Sequence, residues 1–110
     1  MRINILKDLI EFKEPIPSLK KKLSSYPWDS VEILIVSRSD VTRIVERYLN
    51  GKLQESEVAG WADAIEVRDD LGYEIGHEEI LKKFFIETAN PDLFGSLNTD
   101  KAKTWIDLLK

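Results

Sequence analysis

Hydrophobic residues in this chain recur mostly at helical intervals. Ile3, Leu6, Leu9 and Ile10 fall three and four apart, so a short helix is expected at the start. Pro15 and Pro17 end it, because proline lacks the amide donor a helix interior needs. Residues 18–24 offer another turn or two of helix, with Lys20, Lys21 and Lys22 as its solvated face. The stretch YPWDS at 26–30 reads as a turn whose two aromatics plug the edge of the core. Residues 31–36, VEILIV, are short and β-branched and allow one short strand. With no partner strand evident, an extended connection or a helical turn is the favoured reading there.

The later elements are clearer. Ser37 and Ser39 both offer N-caps, and Val41, Ile44, Val45, Tyr48 and Leu49 form one amphipathic stripe. Asn50-Gly51 stops that helix. A further helix enters near Glu55, with Glu55 and Glu57 favoured by the dipole at its first turn and Val58, Trp61, Ala62 and Ile65 buried. Gly60 lies inside it, and close approach of a neighbouring helix is the expected compensation for its low helix propensity. Residues 69–76 read as a loop. Ile80, Leu81, Phe84, Phe85 and Thr88 mark a helix that stops at Asn90-Pro91. After a connection over 91–97, Thr99 is the expected cap of a last helix with Ala102, Trp105, Ile106 and Leu109 inside. The expected fold is therefore mostly α: a single domain over 1–110, an irregular bundle of four to five short helices with room for one strand near 31–36.

The chain is 110 residues long, enough for one domain with a real core. It has no cysteine, which removes disulfides, thiol nucleophiles and cysteine-ligated zinc. The opening segment is broken by Lys7, Asp8 and Glu11 and does not read as a signal peptide. No apolar run approaches a membrane span. A cytoplasmic location is expected.

Charge changes this picture most. The formal net charge is −4, but residues 53–79 hold nine acids and a single base, Arg68. Trp61 and Tyr73 sit inside that acidic stretch. Such a concentration disfavours phosphate binding, so no nucleic-acid partner is expected, and no membrane partner is expected because no helix joins a basic polar face to a large apolar one. It suits a protein that covers a basic surface on a partner.

Catalysis finds less support. The one histidine, His77, lies at a helix start beside Glu78 and Glu79 and reads as a surface or capping residue. Glu66 and Asp69 are placed at i, i+3 on one helical face, with Asp70, Glu74, Glu78 and Glu79 near in sequence. Carboxylates of this kind could hold Mg²⁺ in an all-α nucleotide pyrophosphohydrolase-like hydrolase. That alternative lacks a second paired-acid motif upstream and a basic pair for substrate phosphates. No catalytic residue, metal or cofactor is therefore assigned.

One resemblance sharpens the expectation. Tyr48-Leu49-x-Gly51-x-Leu53 is followed by Glu57-Val58-x-x-Trp61-Ala62, then Glu66-x-Arg68-Asp69-Asp70-x-Gly72-Tyr73-Glu74 and Ala89-Asn90-Pro91-x-Leu93-x-Gly95. Over residues 39–110 this order resembles small bacterial immunity proteins of contact-dependent growth inhibition and other polymorphic toxin systems. Gln54 departs from the pattern, where a Ser or Thr cap would be expected. The resemblance implies an inhibitor that binds and neutralises a cognate toxin domain, a basic nuclease, with no catalysis of its own. On that reading Glu66, Asp69, Asp70, Glu74 and Glu78 are the charge partners and Tyr73 is the apolar anchor.

Overall fold

A computed structural model of the chain describes residues 2–27 and 31–110. Part of the expected aromatic turn at 26–30, including Trp28, lies outside the described residues. In chain order the elements are α1 (Arg2–Glu11), α2 (Ile16–Leu23), β1 (Leu34–Val36), α3 (Arg38–Leu49), α4 (Glu55–Glu66), β2 (Leu71–Tyr73), α5 (Glu78–Ala89), α6 (Pro91–Phe94) and α7 (Thr99–Leu108). The protein is mostly helical, as its periodicity predicts, with slightly more helices than expected.

The first two helices turn on an unusual residue. Phe12 takes a left-handed backbone, φ 53°, at the end of α1. Its N–H donates to the Leu9 carbonyl at 3.1 Å and that of Lys13 to Asp8 at 3.0 Å, the paired bonds that close a helix C-terminus. Glycine normally fills this position, and a side chain there costs about 1–2 kcal/mol. The compensation is visible: the Phe12 ring is buried, the Arg47 guanidinium lies 5.6 Å from its centroid, and Arg47 Nη1 donates to the Glu11 carbonyl at 3.1 Å. Pro15 then caps α2 and Pro17 sits in its first turn, where a missing N–H is harmless, so α2 begins at Ile16 and not at Ser18.

Two corrections concern caps. Ser37 alone caps α3: its Oγ accepts from Asp40 N–H at 3.2 Å, and Asp40 accepts from Ser37 N–H at 2.8 Å. Asn98, one residue before the expected Thr99, caps α7 by accepting from Lys101 N–H at 2.8 Å. At Gln54 the reciprocal partner does the work, since Glu57 accepts from Gln54 N–H at 3.0 Å. The expected connection over 91–97 contains the single-turn α6.

A short strand does form near 31–36, and its partner lies within the segment read as a loop. β1 and β2 pair in parallel, with Leu34 opposite Leu71, Ile35 opposite Gly72 and Val36 opposite Tyr73. The α3–α4 pair forms the crossover between them. Leu71 and Val36 point into the core and Ile35 points out, which is the alternation a one-sided sheet requires.

The buried side chains form one connected cluster. Its centre is aromatic. Trp61 on α4 and Phe84 and Phe85 on α5 have ring centroids 5.2–6.4 Å apart, and Trp105 on α7 meets Phe84 edge-on at 5.2 Å. The indole N–H of Trp61 donates to the Leu9 carbonyl at 2.8 Å, tying α4 to α1. Gly60 is not explained by packing, contrary to expectation: a Cβ built there would meet nothing within 4 Å. No described helix is long and apolar enough to cross a membrane.

Candidate functional site

The acidic stretch folds around β2, and the sheet decides which of its residues stay available. Asp70 lies just before β2 and is fully buried. Arg68 grips it with two bonds, Nε to Oδ1 and Nη2 to Oδ2, each 2.8 Å. The Asp70 carbonyl accepts from Ile33 N–H at 2.8 Å, and Arg68 Nη2 also reaches the Pro27 carbonyl at 3.4 Å. Residues on both sides of 28–30 are thereby held against β2.

That clamp sets Glu32 over the sheet. The Glu32 carboxylate lies directly over Gly72, and a Cβ there would displace this exposed side chain. Glu66 ends α4, Asp69 sits in the turn that follows, and Tyr73 is the last residue of β2. Glu66 and Asp69 are therefore not on one helical face, yet the turn brings both to the same place. Glu32, Glu66, Asp69, Gly72 and Tyr73 line one open cleft of about 320 Å³, with Lys82 and Ile86 of α5 on its far side. Arg68 also reaches it, but its charge is balanced by Asp70. Three carboxylates and Lys82 thus share its lining.

Tyr73 shows how close this charge lies. Its ring packs on Phe85, centroids 5.6 Å apart, leaving it half-buried. Burial, and then the negative charge of Glu66, push its phenol up to about 12. A phenol face beside carboxylates suits a cationic side chain: the carboxylates receive the guanidinium or ammonium, and the ring covers its aliphatic stem.

The other expected contact residues are engaged elsewhere. Asp70 is corrected from an interface charge to a buried structural one. Glu74 accepts from Arg38 three ways: backbone N–H at 2.9 Å, Nε at 3.2 Å and Nη2 at 3.0 Å. Those bonds hold its carboxyl down at about 2, against an ordinary glutamate value of 4.5. Its work is to join β2 to the start of α3. Glu78 accepts from Gly76 N–H at 2.8 Å and closes the turn before α5. Of the six residues expected from sequence, Glu66, Asp69 and Tyr73 meet in the cleft. Glu32 and Lys82 were missed, since Glu32 lies in a stretch of balanced charge and reaches the site only through strand pairing.

His77 precedes α5 and makes no capping bond with its side chain. Among the described residues, no group of three or more His, Asp and Glu side chains is placed to hold a metal ion. Comparisons with protein-family models, with curated proteins and with solved structures gave no match.

Proposed function

We propose that this protein is an immunity-type inhibitor that binds and neutralises a cognate toxin domain with a basic, nuclease-like surface. The observation that carries this reading is the convergence of Glu32, Glu66 and Asp69 around the half-buried face of Tyr73 in one open cleft. The carboxylates receive a lysine or arginine of the toxin, and Tyr73 packs against its stem. The wider negative field of residues 53–79 raises the rate of encounter, which falls as salt screens it. Inhibition follows from covering the toxin's phosphate-binding surface in the cytoplasm, without turnover. The ordered motifs over residues 39–110 that resemble immunity proteins support the same reading.

The test is rescue of growth. The C-terminal domain of whatever protein is encoded immediately upstream in the native genome is expressed inducibly with and without this protein. Rescue by the native chain, lost in the double variant Glu66→Lys, Asp69→Lys with its helical circular dichroism intact, is the expected result. Both positions are exposed, so charge changes there leave the core alone. Absence of rescue by the native chain would overturn the immunity reading, and full rescue by the double variant would remove the cleft from it.

A further inference from the structure

We infer that the cleft beside β2 takes an extended, lysine- or arginine-bearing segment of the partner polypeptide, which adds to the free edge of β2 as a third strand. The inference rests on the proposed use of this cleft and adds how the partner's chain lies in it.

The register shows which backbone groups are already paired. In a parallel pair, alternate residues turn their N–H and C=O groups to the neighbouring strand, and those between turn them away. Glu74 N–H donates to the Val36 carbonyl at 2.9 Å, and the Asp70 carbonyl accepts from Ile33 and Leu34 N–H at 2.8 and 3.4 Å. Asp70, Gly72 and Glu74 therefore face β1, while Leu71 and Tyr73 present their backbone groups to the opposite edge. Among the described residues the sheet has two strands, and no group bonds the N–H or C=O of Leu71 or Tyr73 on that edge. Leu71 is only 4% exposed, and polar backbone groups on so buried a residue are costly to leave without a partner. An incoming strand supplies those partners.

The cleft runs along this edge. Leu71 and Tyr73 turn their side chains to the core face, where Tyr73 meets Phe85. Gly72 turns to the outer face, beneath Glu32. Both faces border the same opening, with Lys82 and Ile86 of α5 across from them. A space bordered by both faces of a strand lies at its edge. β2 is three residues long. A segment of about three to five residues, rising about 3.3 Å per residue, spans it.

Charge selects the segment. Glu32, Glu66 and Asp69 share the lining with one unpaired base, Lys82, and none of the four is held in an ion pair among the described residues. Arg68, on the same lining, is committed to Asp70. The uncompensated charge is negative, and the raised phenol of Tyr73 registers part of it through Glu66. Alternate side chains of an added strand fall on its two faces. Lysines at every second position therefore share the face that carries Glu32, while the residues between turn towards Ile86. A segment with acids in the same places would meet like charge.

The experiment is an amide NMR titration with hydrogen exchange, on the full chain, using the end-blocked peptide Lys-Val-Lys-Val-Lys. Without peptide, the Leu71 and Tyr73 amides are expected to exchange faster than those of Gly72 and Glu74. At saturation, exchange at Leu71 and Tyr73 is expected to slow by at least about tenfold. The peptide Glu-Val-Glu-Val-Glu is expected to bind at least about tenfold more weakly. Two further peptides keep every side chain and lose backbone donors. N-methylation of both valines strips one edge of the peptide, and N-methylation of the lysines strips the other. One of these is expected to lose at least about tenfold in affinity and the other to stay within about threefold of the parent.

Two variants read the charge while circular dichroism confirms folding. Glu66→Gln combined with Asp69→Asn is expected to weaken binding of the lysine peptide, and Lys82→Gln to tighten it. Equal binding of the glutamate peptide, equal binding of the two N-methylated peptides, or undiminished binding by the double variant would overturn the inference. Binding that leaves exchange at Leu71 and Tyr73 unslowed would remove the added strand and leave the cleft standing as a surface for side chains. No binding of the lysine peptide would also overturn the inference, while loss of growth rescue in the Glu66→Lys, Asp69→Lys variant would still assign the cleft to a folded toxin surface.

Discussion

Arg68 and Asp70, two residues apart, form a doubly bonded ion pair in which the aspartate side chain is wholly shielded from solvent and the arginine is 9% exposed. Removing one partner strands the other's charge in a poor solvent. Asp70→Ala is expected to cost about 3–5 kcal/mol in urea unfolding followed by circular dichroism. Asp69→Ala, next to it but exposed, is expected to stay within about 0.5 kcal/mol of the native chain. Similar small effects at both positions would show that the pair does not hold β2. Reversing both aspartates to lysine would therefore report on folding as much as on binding.

Tyr73 makes stability fall at high pH. Its folded phenol ionises at about 12, against an ordinary value of 10, because burial and Glu66 oppose the phenolate. Between those values the unfolded chain has lost the proton and the folded chain keeps it. The slope of stability against pH is negative there, and it flattens above the folded value. Urea midpoints measured from pH 9 upward are expected to fall for the native chain and to fall less for Tyr73→Phe. Parallel curves would mean that Tyr73 ionises freely.

Glu74 acts in the opposite direction. Its folded carboxyl is held near 2 by Arg38, so the unfolded chain takes up a proton first as pH falls. The stabilisation is fully present above the ordinary value of 4.5 and is lost as pH drops towards 2. Glu74→Gln is expected to flatten the stability curve in that window. An unchanged acid slope in this variant would mean that the Arg38 contact contributes nothing.

Gly60→Ala is expected to stabilise the protein, by about 0.5–1 kcal/mol, since alanine favours the helix and its methyl group meets no neighbour. For a domain of this size that corresponds to a rise of roughly 2–8 °C in Tm by calorimetry. A fall in Tm would show that a neighbouring group occupies the space.

The helices were legible because their signals are local. Val41, Ile44 and Val45 share a face by spacing alone, Ser37 and Asp40 meet across a single turn, and Gly51, at φ 77°, ends α3 where its sequence says it must. Trp61 and Trp105 were readable as core from the same periodicity. The acidic segment was equally plain, since charge can be counted without a fold.

What the tertiary structure decided was the fate of individual charges. Two strands of three residues, far apart in sequence, carry too little pattern to announce their pairing, and parallel strands need a long crossover that no local signal marks. That pairing buries Asp70, commits Glu74 to Arg38, and brings Glu32 across Gly72 to Glu66, Asp69 and Tyr73. Composition and spacing by themselves determined that this chain is a mostly helical protein with one acidic segment. Which acids face a partner and which face the core depended on burial, and burial is a property of contacts between distant residues.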